Sequence, residues 1–145
     1  MSTIVTDPVA VANRLRPVLH KLNRHLRRET HSLGVTSGQV SLLAQIGRSP
    51  GIGVRELAGL ERMSSPGMSK YVARLERADL VRRTETADRR RVGLELTEEG
   101  QRVLRSVRSR RTAWLASRLR GLDPDDLAAV EAAVEPLARL LDGRE

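Results

Sequence analysis

The chain contains no cysteine, which excludes disulfides, thiolate zinc sites and thiol-based redox sensing together. Phenylalanine is also absent, and Tyr71 and Trp114 are the only aromatic residues, so any core must be assembled from Leu, Val and Ala. No stretch approaches the roughly 18 uninterrupted apolar residues of a membrane span. The opening MSTIVTDPVAVANRLRP has no apolar run behind a basic start, so no secretory signal is read there and a cytoplasmic protein is expected. His20, His25 and His31 have no i,i+4 partner and no carboxylate pattern beside them, so metal binding is not expected. There is no Gly-rich phosphate loop and no Ser/His/Asp pattern either. The sequence therefore offers no catalytic residues, no cofactor and no basis for an enzyme.

What is present is charge of one sign. The 145 residues carry a formal net charge of +8, and 39% of them are apolar, enough for a globular fold. Of the 26 basic residues 24 are Arg. A GC-rich genome would explain Arg over Lys, but not the excess of positive over negative charge. A polyanionic partner is implied, with nucleic acid first.

Periodicity organises the chain as helices around one short strand-like pair. Asp7-Pro8 fits an N-cap and first helical residue. Val11, Ala12, Leu15, Val18, Leu19, Leu22 and Leu26 then follow helical spacing, with Pro17 expected to bend the helix and Gly34 to stop it. Thr36-Ser37-Gly38-Gln39 matches a capping box opening a second helix through Val40, Leu43 and Ile46, which ends in Ser49-Pro50-Gly51. A short helix from Val54 to Leu60 follows. Ser65 then reads as an N-cap with Pro66 at the first helical position, for a helix through Met68, Val72 and Leu75 that Asp79 ends.

Leu80 to Glu85 and Val92 to Leu96 are strand-like, and the polar Thr86–Arg91 between them predicts a hairpin with a basic tip. Thr97-Glu98-Glu99 opens a long helix whose stripe includes Val103, Leu104, Val107, Trp114, Leu115 and Leu119, ending at Gly121. Packing in a core or a dimer is the first expectation for Trp114. Asp123-Pro124 caps a last helix. Its Leu127, Val130, Val134, Leu137 and Leu141 are spaced 3, 4, 3, 4, a coiled-coil-like seam that Pro136 should bend.

Helix, helix, helix, hairpin between Thr36 and Leu96 is the order of a winged helix-turn-helix. A helix of about 10–12 Å diameter fits the major groove, and its N-terminal N–H groups can meet phosphates. From Arg62 to Arg91 there are nine basic residues against four acids, a net +5, so more than half of the chain's charge falls in about a fifth of its length.

At these residues the chain resembles the multiple-antibiotic-resistance regulator (MarR) family. Asp88-Arg89-Arg90, then Val92, Leu94 and Leu96-Thr97-Glu98-Glu99-Gly100, is similar to that family's wing with its Asp-x-Arg signature. Val35 to Gln39, Glu56-Leu57-Ala58 and Ser69 to Glu76 are similar to the start of its second helix and to its helix-turn-helix pair. One departure is Asp79, where the family usually has Gly.

The resemblance implies a mainly α fold with a small β-hairpin wing: a winged helix-turn-helix over residues 35–97, an N-terminal dimerisation helix over 1–34 and C-terminal dimerisation helices over 98–145. It implies a homodimer on double-stranded DNA, a palindromic operator, and a repressor released by a small aromatic or anionic effector. Such a protein is nucleoid-associated when DNA-bound.

The expected DNA-binding residues are Ser64, Ser65, Gly67, Ser69, Lys70, Arg74, Arg89, Arg90 and Arg91, with Asp88 holding Arg90 in the wing. Ser64, Ser65 and Gly67 are equally explained as cap residues, and Lys70 and Arg74 as a solvated face. Leu15, Leu19, Leu22, Leu127, Val130, Val134, Leu137 and Leu141 are the expected dimerisation residues. The competing expectation is an architectural, largely sequence-independent DNA binder.

Overall fold

The computed structural model describes residues 5–88 and 91–143. In chain order the elements are α1 (Pro8–His31), α2 (Ser37–Arg48), β1 (Ile52–Gly53), α3 (Val54–Leu60), α4 (Ser65–Arg77), β2 (Val81–Glu85), β3 (Val92–Leu96), α5 (Glu98–Leu119) and α6 (Pro124–Arg139). The fold is mainly helical with one small antiparallel sheet. No helix among the described residues is long and apolar enough to cross a membrane.

The helix starts follow from capping. Asp7 Oδ1 accepts the Val9 N–H at 3.1 Å with Pro8 in the first turn of α1. In α2 the capping box is complete: Thr36 Oγ1 accepts the Gln39 N–H at 3.1 Å, and Gln39 Oε1 accepts the Thr36 N–H at 2.9 Å. Thr97 and Asp123 cap α5 and α6 in the same way. Neither Pro17 nor Pro136 interrupts its helix. α6 ends at Arg139, however, so Leu141 lies beyond the helix that was expected to carry it. Four of the five seam positions are helical.

Both helices of the helix-turn-helix end on a non-glycine residue in the left-handed region, Arg62 at φ 53° and Asp79 at φ 59°. After α4 the Leu80 N–H donates to the Leu75 carbonyl at 3.0 Å and the Asp79 N–H to the Glu76 carbonyl at 2.9 Å. These two bonds make a Schellman cap, closed by the buried Leu75 and Leu80. Asp79 thus takes the conformation that a glycine usually supplies, at a backbone cost of about 1–2 kcal/mol. After α3 the Met63 and Arg62 N–H groups reach Ala58 and Gly59 in the same pattern.

The sheet order is β1-β3-β2, antiparallel throughout. The hairpin pairs Val81 with Leu96 and Glu85 with Val92. β1 was not anticipated: two residues, Ile52-Gly53, leave no alternation to read. It pairs Ile52 with Leu94 because Gly93 has no side chain; a Cβ there would lie 2.5 Å from the Gly51 carbonyl oxygen.

The core is a single cluster drawn from α2, α3, α4, the sheet and the first half of α5, with Leu43, Ile46, Leu57, Met68, Val72, Leu75 and Leu94 fully buried. It spans Val35 to Val107, and neither α1 nor α6 contributes an apolar side chain to it. α1 packs on α5 and α2. There the buried Thr30 Oγ1 accepts from Arg111 Nε and Nη2 at 3.1 and 2.6 Å, and Ser32 Oγ accepts from Arg110 at 2.7 Å. Trp114 stacks on His25 at 5.2 Å between centroids, with the Arg118 guanidinium 5.5 Å from the same ring. α6 makes no more than isolated contacts with the other elements.

One close approach holds this arrangement. A Cβ on Gly100 would lie 2.1 Å from the Leu80 carbonyl oxygen, which is backbone and cannot rotate away. Gly100→Ala is therefore expected to lower stability by about 1–3 kcal/mol. Gly59→Ala, at a helical site with open space for a Cβ, should raise it by about 0.4–1 kcal/mol. Urea unfolding checks both, and equal effects would contradict the contact at Gly100.

Candidate nucleic-acid interface

α4 divides cleanly into two faces. Met68, Val72 and Leu75 are buried and Tyr71 packs against the same core. Ser65, Ser69, Lys70, Arg74 and Arg77 are exposed. The helical repeat brings Ser65 and Ser69 one turn apart, and likewise Lys70 and Arg74. The structure thus gathers the expected Ser65, Ser69, Lys70 and Arg74 onto one face, joined there by Arg77, which was not among the expected site residues.

The helix begins one residue earlier than the sequence implied. Ser64, not Ser65, is the N-cap: its backbone is extended and its Oγ accepts the Gly67 N–H at 3.1 Å, with Pro66 second in the helix. Both serines suit a cap by type, but only Ser64 has φ −69° and ψ 150°. The consequence is chemical. The Ser64 hydroxyl oxygen is already engaged, whereas the Ser65 hydroxyl is exposed in the first turn, where helix N–H groups also point outward.

Charge pairing separates structural from unpartnered arginines. Arg83 Nε donates to Glu76 Oε1 at 3.0 Å, linking β2 to α4, and Arg82 pairs with Glu95 across the hairpin. Both pairs are largely exposed, so each contributes no more than about 1 kcal/mol. Among the described residues Arg62, Lys70, Arg74, Arg77 and Arg91 have no ion pair. The acids of this segment thus serve the scaffold and leave the outward cations uncompensated.

The wing turn is held from inside. Thr86 Oγ1 lies 2.7 Å from both the Asp88 and Arg91 carbonyl oxygens, and the Arg91 N–H donates to the Asp88 carbonyl at 2.9 Å. Arg91 is exposed beyond it. Arg89 and Arg90, and with them the expected Asp88–Arg90 contact, lie outside the described residues.

Because β1 joins the sheet, the wing root faces the start of α3 across a groove of about 850 Å³ that Arg55, Asp88 and Arg91 line together. Arg55 carried no signal in the sequence, since nothing there showed that β1 would bring α3 against the wing.

Three core helices closed by a three-stranded wing, with an unpaired basic face on the helix that follows the turn, define a winged helix-turn-helix DNA-binding protein. The MarR family model matches residues 35–92. Among solved structures, one from Pseudomonas aeruginosa PA01, described as a transcriptional regulator, is 32% identical. The match covers 97% of this chain and 100% of that one with a TM-score of 0.82. An HTH-type transcriptional regulator of Mycobacterium tuberculosis is 28% identical over 91% of this chain and 93% of its own. The HTH-type transcriptional repressor MdtR of Bacillus subtilis is 26% identical over 90% and 85%. The chain belongs to the MarR family of transcriptional regulators, and it binds DNA.

The cap assignment has a direct check in thermal unfolding. Ser64→Ala should lower stability by about 1 kcal/mol, and Ser65→Ala should stay within about 0.5 kcal/mol of the parent. The reverse order would return the cap to Ser65.

Proposed function

We propose that the protein is a homodimeric repressor that reads a palindromic operator with α4 and grips the flanking DNA with the wing. The observation that carries this is the exposed, unpaired basic face of α4 beside an equally unpaired Arg91. In this reading Lys70 and Arg74 face base edges in the major groove, with Ser65 and Ser69 nearer the helix N-terminus and its phosphates. Ser64 and Gly67 act as the cap that presents that N-terminus. Arg89, Arg90 and Arg91 supply sequence-tolerant contacts, Asp88 orienting Arg90. Repression is proposed by analogy with MdtR, a repressor by description, and a cytoplasmic, nucleoid-associated location follows from the same reading.

Residues 35–97 form the DNA-binding unit in this account, and 1–34 and 98–145 the dimerisation elements. What supports dimerisation is apolar surface without a partner. On α1 Leu19 and Leu22 are exposed and Leu15 half-buried; on α6 so are Leu127, Val130, Val134 and Leu137, with Leu141 just beyond it. Monomeric proteins rarely leave contiguous apolar faces this large in water. A dimer would set two α4 helices roughly 34 Å apart, one turn of DNA.

The effector is proposed to bind in the cleft of about 340 Å³ between α1, α2 and α5. Arg27, Arg48 and Arg111 line it with Asn23 and Ser37, and the buried Ser37 Oγ has no hydrogen-bond partner. Burial, and then the charge of Arg27, lower the Arg111 pKa from its ordinary value, though a guanidinium stays charged at neutral pH. Such a site suits a small anion. Its binding shifts DNA affinity only as far as it distinguishes DNA-competent from incompetent arrangements.

Footprinting on the DNA upstream of the protein's own gene tests the central reading: a discrete protected palindrome is expected, and diffuse protection would favour the architectural alternative. Arg91→Ala should weaken binding on all sequences and reduce the salt slope by about 0.9; an unchanged slope removes Arg91 from the phosphate contacts. Lys70→Ala or Arg74→Ala should cost about 1–3 kcal/mol on the operator and relax sequence preference. A uniform loss across sequences would make that residue a backbone contact.

A further inference from the structure

A second concavity, of about 430 Å³, lies at the root of the wing, at the opposite end of the hairpin from its tip. It is walled by the C-terminal end of α2, the base of the β2–β3 hairpin and the first half of α5. Four arginines line it: Arg48, Arg82, Arg105 and Arg108. Only one acid does, and that acid, Glu95, is taken by Arg82. Arg48, Arg105 and Arg108 have no hydrogen-bond or ion-pair partner among the described residues. The nearest acid on α5, Glu99, is bound by Arg102, whose hydrogen bond and charge lower its pKa.

Three unpaired guanidinium groups sharing a concave surface repel one another, and a concave wall strengthens the field above that of a convex one. Between them the wall is apolar, made by Ala44, Leu96 and Leu104. The volume falls within the range of about 300–1,000 Å³ typical of small-molecule sites. Nothing in the DNA-reading geometry uses this face.

We propose that this cleft is a binding site for an organic anion with an apolar body. The anionic group, a carboxylate or a phosphate, engages Arg105 and Arg108 on α5 together with Arg48, while the apolar body covers Leu96 and Leu104. Guanidinium forks recognise both kinds of oxyanion. The site is separate from the cleft proposed above for the effector, although Ala44 and Arg48 stand on the wall between the two. It does not depend on that effector reading.

Calorimetric titration of the full chain with 2-naphthoate, 2-naphthyl phosphate and inorganic phosphate tests the site. Saturable binding of a naphthyl anion is expected, at least about tenfold tighter than inorganic phosphate because the ring buries apolar wall. Arg105→Ala/Arg108→Ala should weaken it by about tenfold or more, Arg105→Lys/Arg108→Lys should restore part of it, and Arg27→Ala should leave it unchanged. Both arginines are exposed, so the double variant should fold, which circular dichroism checks. Unaltered affinity in the double alanine variant, no saturable binding, or equal affinity for inorganic phosphate overturns the proposal. Loss with Arg27→Ala alone would place the anion in the α1–α2–α5 cleft, overturning this site and supporting the effector reading.

Discussion

The Thr97 hydroxyl donates to the Asp79 carbonyl at 2.6 Å and accepts the Gly100 N–H at 3.0 Å, while the Thr97 N–H donates to the Leu80 carbonyl at 3.1 Å. Through one residue the end of α4, the start of the wing and the start of α5 are joined. Each bond is worth only about 1 kcal/mol net, but together they leave the junction one arrangement. Gly100 then has to lie directly on the Leu80 carbonyl, and Asp79 has to take the left-handed turn. The angle between the DNA-reading helix and the wing is set here, as is the direction in which α5 leaves the core.

That constraint explains the division of charge. The acids near the junction hold arginines that brace the scaffold: Glu76 holds Arg83, Glu95 holds Arg82, and Glu99 holds Arg102. The cations on the outer face of α4, and Arg91 at the wing, keep their charge for a partner. A net +5 between residues 62 and 91 therefore understates the field on this face, because the compensating acids point elsewhere.

Much of this was legible in the sequence. Helices and caps were readable because Thr36, Thr97 and Asp123 each stand directly before an apolar periodic run. The hairpin was readable because a polar basic tip separates two short alternating segments. Asp79 could be named as a stop because short polar residues tolerate the left-handed region, and it adopts that region. Two features were not legible. β1 is two residues long and exists only through its pairing with β3, a long-range fact that leaves no local pattern, and Arg55 joins the wing groove only as its consequence. The Ser64–Ser65 ambiguity is of another kind. Two adjacent residues had equal propensity, and backbone angles alone decided between them.

The flanking helices pose the opposite situation, with pattern present and no packing to absorb it. The core stops at Val107, yet α1 and α6 carry apolar rows with no partner of their own chain, which is why a second copy is proposed to cover them. The most direct measurement is a structure of the protein bound to its operator. The account predicts two copies joined through α1, α5 and α6, with the exposed faces of both α4 helices in successive major grooves and Arg91 at the flanking backbone. DNA lying along another face, with Lys70 and Arg74 left in solvent, would contradict it.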